Sequence, residues 1–172
     1  TGIMLHLPLP PHLNAAELQY RIDPVKDVEG VNPANIGYVV YGQTLIAPCT
    51  ALSVLELIRH TGVSLRGAEA VVVGASEIAG KPIALLLIDQ LCTVALCHIA
   101  TRDLAAHTRR ADVLVVAAGK AALIGADHVR EGAVVIDVGI NRVKQPDGTR
   151  RTVGDVDFEP VAQKAGWITP VP

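Results

Sequence analysis

Hydrophobic residues in this chain fall into two alternating patterns, and the alternation becomes regular from Cys49 onward. "EAVVVG" (69–74), "TVALC" (93–97), "DVLVVAAG" (112–119) and "AVVIDVG" (133–139) are short apolar runs rich in β-branched residues, which predicts strands, several of them covered on both faces. "AGWITPVP" (165–172) reads as a last strand. Between the runs, apolar residues recur at helical spacing. In "ALSVLELIRHTG", Leu52, Val54, Leu55 and Ile58 predict one buried face, with Thr50 as the cap and Gly62 as the stop. "EIAGKPIALLLIDQ" (77–90) predicts a second helix, and "TRDLAAHTRR" (101–110) a third, with Thr101 and Asp103 suited to its start. "GADHVREG" (125–132) predicts a short helical turn, and "NRVKQPDGTRR" (141–151) a polar excursion that turns at Asp147-Gly148. Strands alternating with helices predict an α/β fold built on a doubly wound parallel sheet. Residues 1–48 follow another style, with "LPLPPHLN", "IDPVKDVEG" and "VNPAN" rich in proline and turns.

Composition narrows the function classes. Half of the 172 residues are hydrophobic and mean hydropathy is +0.38, which excludes a disordered chain. No apolar run reaches the roughly 18 residues of a membrane span, and the chain opens on "TGIMLHLPLP" without a secretory pattern. A net charge of −2, scattered basic residues and 3% aromatics give no face for nucleic acid. The Arg109-Arg110 and Arg150-Arg151 pairs read as solvated surface. Cys49, Cys92 and Cys97 are odd in number and lack C-x-x-C spacing. That spacing argues against zinc and disulfides and for reduced thiols in a cytoplasmic setting. The six histidines show no H-E-x-x-H pairing, so no metal site is expected.

The chemistry concentrates at "VVVGASEIAGKP" (71–82). A Walker A loop is excluded, because Gly80-Lys81 lies one residue too far from Gly74 and Pro82 replaces the required hydroxyl. The dinucleotide fingerprint is approximated as G-x-S-x-x-x-G. Gly74 supplies the tight turn, Ser76 an N–H and a hydroxyl for pyrophosphate, and Gly80 close helix packing. An ordinary strand-to-helix turn is the alternative. The next strand ends in "CHIATRD", with His98 where a ribose-binding carboxylate often stands, and Arg102 nearby favours a 2′-phosphate.

Nine stretches then occur in one order: "LPLP", "PVKDVEG", "PCT", "VVVGASEIAGKP", "CH", "ADVLVVAAGK", "GAVVIDVGINRV", "GDVDF" and "ITPVP". Together they span the chain and resemble the bifunctional methylenetetrahydrofolate dehydrogenase/methenyltetrahydrofolate cyclohydrolase family. The resemblance implies a Rossmann-like NAD(P)-binding domain over residues 49–172 and, in residues 1–48, part of an α/β catalytic domain that binds folate. It implies oxidation of 5,10-methylenetetrahydrofolate to the methenyl form with NADP or NAD, hydrolysis to 10-formyltetrahydrofolate, and a homodimer. Gly74, Ala75, Ser76, His98, Arg102, Gly119 and Ile140 fall at cofactor positions of the resemblance, and Leu5, His6, Leu7, Glu29 and Pro172 at substrate positions. His6 and Glu29 are its catalytic candidates, with Asp27 structural. Ala75 and Ile99 stand where many relatives carry Arg and Ser, which offsets Arg102 and leaves NADP and NAD both open.

Three departures qualify the resemblance. His6 replaces the usual Gln and adds a titratable group, so an altered or lost cyclohydrolase step is expected. Glu29 replaces an Asp expected to clamp the pterin edge with two parallel hydrogen bonds. The family's acid/base lysine lies in a Y-x-x-x-K helix, and no tyrosine here has a lysine four residues on. These features suggest an internal piece of a longer protein. They also keep two alternatives open: a non-catalytic or cyclohydrolase-deficient homologue that binds nucleotide or folate, and a dehydrogenase of another small substrate.

Overall fold

The computed structural model describes residues 1–145 and 148–172. Five strands, β1 (Glu69–Val73), β2 (Thr93–Cys97), β3 (Val113–Val116), β4 (Val134–Asp137) and β7 (Trp167–Ile168), form a parallel sheet in the order β2-β1-β3-β4-β7. The chain winds one way from β1 to β2 and the other way from β3 onward, so the sheet has its switch point between β1 and β3. Crevices that bind ligands in such folds lie at that point, beyond the carboxyl ends of the strands.

Alternate residues of the strands enter two separate cores. Ala70, Val72, Val113, Val115, Val134 and Ile136 meet α3 (Cys49–His60) and α4 (Gly80–Asp89) on one face. Val71, Val73, Leu114, Val116 and Val135 meet Ile124, Val129 and Val161 on the other, where α6 (Phe158–Ala162) packs. This is the doubly wound, Rossmann-like arrangement that the unbroken apolar runs predict. Among the described residues no helix is long and apolar enough to cross a membrane.

Several local expectations are corrected. Helix α3 starts at Cys49 with Pro48 at the cap, so Thr50 lies inside its first turn. Its buried residues are Ala51, Val54, Leu55 and Ile58, a strict i, i+3, i+4, i+7 stripe, and Leu52 faces outward. Gly62 does follow the helix end, at φ +74°. Helix α4 begins at Gly80 rather than near Glu77, because residues 74–79 make the turn instead. In α5 (Leu104–Thr108), Asp103 is the cap and accepts from the Ala106 N–H at 3.1 Å, whereas Thr101 bonds back to His98. The polar excursion is an antiparallel hairpin of β5 (Asn141–Lys144) and β6 (Arg150–Val153). The turn expected at Asp147-Gly148 involves Asp147, which lies outside the described residues.

The first 48 residues contain two helices that the proline-rich pattern conceals, α1 (Ala15–Arg21) and α2 (Pro33–Val40). Asn14 caps α1 by accepting from the Ala16 and Glu17 N–H groups, and Asn32 caps α2 with Pro33 in its first turn. Asp27 is buried and holds this segment together, accepting from the Asn32 N–H at 2.7 Å and the Asn35 amide at 3.0 Å.

Candidate functional site

The turn at the end of β1 is built by close backbone contact. Gly74 has φ +112°, and a Cβ there would strike the Ala117 carbonyl at the end of β3. Its N–H donates to the Cys97 carbonyl at 2.9 Å, which ties the turn to the end of β2. Gly80 sits so close to the Gly74 carbonyl that no side chain fits. The two glycines therefore bring the start of α4 against the strand end, as a dinucleotide turn requires. Ala75 and Ser76 are half-buried between them. The Ser76 carbonyl accepts from the Lys81 N–H at 3.0 Å, and its hydroxyl oxygen accepts from the Gly80 N–H at 3.4 Å. Lys81 itself pairs with Glu77 at 2.8 Å, and that hydrogen bond holds the Glu77 carboxyl below its usual range.

Beyond β2, His98 and Arg102 line one cavity of about 560 Å³ together with Thr101 and His107. The His98 N–H donates to the Thr101 hydroxyl at 2.8 Å, and His98 Nδ1 accepts from the Ala100 N–H at 3.2 Å. Ile99 is fully exposed. Cys97, at the base of this strand end, is buried, and burial pushes its thiol up.

A second cavity, of about 420 Å³, lies between the N-terminal segment and the sheet. Leu5, His6, Leu7 and Glu29 line one side, while Ile78, Ala79 and Val138 line the other. Gly30 keeps Glu29 in place, since its φ of +67° and its closeness to the Ala47-Pro48 backbone leave no room for a side chain. Cys49 and Thr50 also border this cleft. Pro172 is not brought here. It borders a separate cavity with Val143 and Phe158, because the chain after β7 runs past the β5–β6 hairpin.

Gly119 and Ile140 lie on the loops after β3 and β4. Gly119 has φ +66°, and its N–H donates inward to Asp155 at 2.8 Å rather than toward a ligand. Ile140 is 76% exposed. Sequence reasoning missed the groups that fix these loops, Asp137 and Asp155. Their signal was present: each acid stands next to a glycine-containing step, in "DVG" and "GDVD".

The turn, the switch-point crevice and the adjoining cleft fit a dinucleotide, and comparison with known proteins agrees. The family model described as tetrahydrofolate dehydrogenase/cyclohydrolase, NAD(P)-binding domain, matches residues 48–172. The chain belongs to this family. Bifunctional protein FolD 3 of Roseobacter denitrificans is 57% identical over 171 residues, covering 99% of this chain and 59% of that protein. The crystal structure of the bifunctional enzyme FolD from Campylobacter jejuni superposes with a TM-score of 0.93 at 44% identity, over 99% of this chain and 60% of that one. The FolD of Trypanosoma brucei, solved with NADP cofactor and inhibitor, matches with a TM-score of 0.93 at 40% identity and the same coverage. The chain thus spans about three-fifths of the length of these family members.

Proposed function

We propose that the protein carrying this chain oxidises 5,10-methylenetetrahydrofolate to the 5,10-methenyl form, with hydride passing to NADP+ or NAD+. The same reading includes addition of one water to the product, giving 10-formyltetrahydrofolate and a proton. The observation that carries it is the cleft in which Leu5, His6, Leu7 and Glu29 face Ile78 and Ala79, which belong to the Gly74–Gly80 turn itself. A substrate seated there would lie beside a dinucleotide held by that turn. When bound, NAD(P)+ supplies the hydride acceptor.

In this reading residues 1–48 are part of the folate-binding catalytic domain and residues 49–172 the NAD(P)-binding domain, supported by the family match to residues 48–172. Gly74, Ala75 and Ser76 hold the phosphates, His98 and Arg102 take the adenosine side, and Gly119 and Ile140 flank the nicotinamide end. Glu29 accepts hydrogen bonds from the aminopyrimidine edge of the pterin, and His6 orients the reacting group or a water. Pro172, the remaining substrate-side candidate, borders the cavity beside Val143 and Phe158 rather than the cleft at Glu29. The protein is expected to act as a cytoplasmic homodimer, without nucleic-acid or membrane partners. The three free cysteines support a reducing compartment, and the net charge of −2 supports the absence of a nucleic-acid role.

The full-length protein, mixed with 5,10-methylenetetrahydrofolate and NADP+ or NAD+, is expected to generate reduced nicotinamide absorbance. Absence of reduction with both cofactors would overturn the proposal.

A further inference from the structure

Two carboxylates at the carboxyl end of the sheet form an interlocked bracket that, among the described residues, pairs with no other side-chain charge. Asp155 is fully buried. One of its oxygens accepts from the N–H groups of Ala118 at 2.6 Å and Gly119 at 2.8 Å, and the other accepts from the Asn141 amide at 2.8 Å. Asp137, at the end of β4, in turn accepts from the N–H groups of Gly139, Asp155 and Val156 at 2.9, 3.0 and 2.9 Å. The fit is closed on both sides, because a Cβ at Gly139 would meet the Asp155 carboxylate and one at Gly154 the Asp137 carboxylate. Three chain segments are joined in this way: the turn after β3, the loop from β4 to β5, and residues 154–156.

The choice of residue is informative. A carboxylate offers only acceptor sites, so it can hold three N–H donors at once, and ionised acceptors make the shorter and stronger hydrogen bonds. An asparagine would set its own NH₂ against one of those donors. Among the groups held, Val156 belongs to one core, but Ala118 and Gly119 are exposed and add nothing to either core, as is Ile140 between the held Gly139 and Asn141. Ordering them shapes the surface they present at the switch-point crevice.

We propose that Asp155 is a positioning residue for dinucleotide binding, setting the spacing between the turn at 117–119 and the loop at 138–141, with Asp137 fixing Asp155 in its place. This rests on the NAD(P) reading above. The test uses the full-length protein and measures NADP+ and NAD+ binding by calorimetry, with amide hydrogen exchange read at single residues. Asp155→Asn is expected to weaken binding roughly ten- to a hundredfold, comparable to what a metal site loses when the partner supporting one of its ligands is removed. The Ala118 and Gly119 amides should lose protection while those of Val115 and Val135 keep it. In turnover, KM for the dinucleotide should rise more than kcat falls. Asn141→Ala removes only one arm of the bracket, on a half-exposed strand residue, and should weaken binding by roughly three- to fivefold. If Asp155→Asn does not fold, a weakened Asn141→Ala still supports the proposal. Unchanged binding in Asn141→Ala, together with an Asp155→Asn that is either unchanged or unfolded, overturns it. Wild-type protein that binds neither dinucleotide overturns the NAD(P) reading and this assignment together, whereas normal wild-type binding with unaffected variants overturns the Asp155 assignment alone.

Discussion

Burial pushes the Asp137 carboxyl above the usual carboxylate range, and the nearby Asp155 charge adds to the effect, while the N–H groups of Val156, Asp155 and Gly139 pull the other way. The native state therefore holds this proton more tightly than the unfolded chain does. Linkage then makes stability fall as pH rises, from the ordinary carboxylate range up through the raised native value. The Asp137 contribution is complete below the unfolded pKa and is lost above the native one. Asp137→Asn cannot titrate there. The stability advantage of wild type over this variant is thus expected to shrink as pH rises from the ordinary carboxylate range upward, as measured by urea unfolding across a pH series. A constant difference would contradict the assignment. At this scale the sequence reveals chemistry only where a motif has a fixed spacing. Gly74 and Gly80 stand out on the chain, whereas Asp155 meets Ala118 and Gly119 across 36 residues or more and its partners cannot be read from spacing.

Helix starts were less legible than helix stops, and α4 shows both: it begins at Gly80 rather than near Glu77, whereas its end at Asp89 lies within one residue of the expected Gln90. It finishes in a Schellman arrangement, with the Leu91 N–H donating to the Ile88 carbonyl at 2.8 Å and the Cys92 N–H to the Leu87 carbonyl at 3.1 Å. Leu91 takes the left-handed position at φ +64°, where glycine is usual. The left-handed conformation costs a non-glycine residue about 1–2 kcal/mol, against about 0.5–1 kcal/mol for the extra freedom of an unfolded glycine. Leu91 is 56% exposed, so its removal also gives up the buried part of the side chain, on the order of 1–2 kcal/mol. Strain relief and lost burial therefore nearly offset each other, and Leu91→Gly is expected to change stability by less than about 1 kcal/mol, seen as a thermal midpoint that moves by less than about 4 °C. α1 and α2 were hidden altogether, because their asparagine caps lie among prolines that read as loop. Strands were the opposite case. β1 matches its apolar run residue for residue up to the glycine, and β3 and β4 fall inside theirs.

At the scale of the whole molecule, the sheet divides the interior into two cores that share only its backbone. Ile58 belongs to one and Ile124 to the other, and both are fully buried. Ile58→Val and Ile124→Val should each cost about 0.5–1.5 kcal/mol, and together the sum of the two to within about 0.5 kcal/mol. Denaturant unfolding of the single and double variants measures this, and strong coupling would mean that the faces communicate through the strands. The two-sided core was legible because runs such as "AVVV" carry no polar alternation. The same uniformity leaves a strand without a frame of its own. Sliding β1 by one residue would send each of its three valines into the opposite core, yet change little of what either core contains. Gly74 supplies the missing frame. A slide in either direction would put Val73 or Ala75 where a Cβ meets the Ala117 carbonyl. The glycine at the β1–α4 turn thus doubles as an end stop, letting a repetitive strand read itself in only one register.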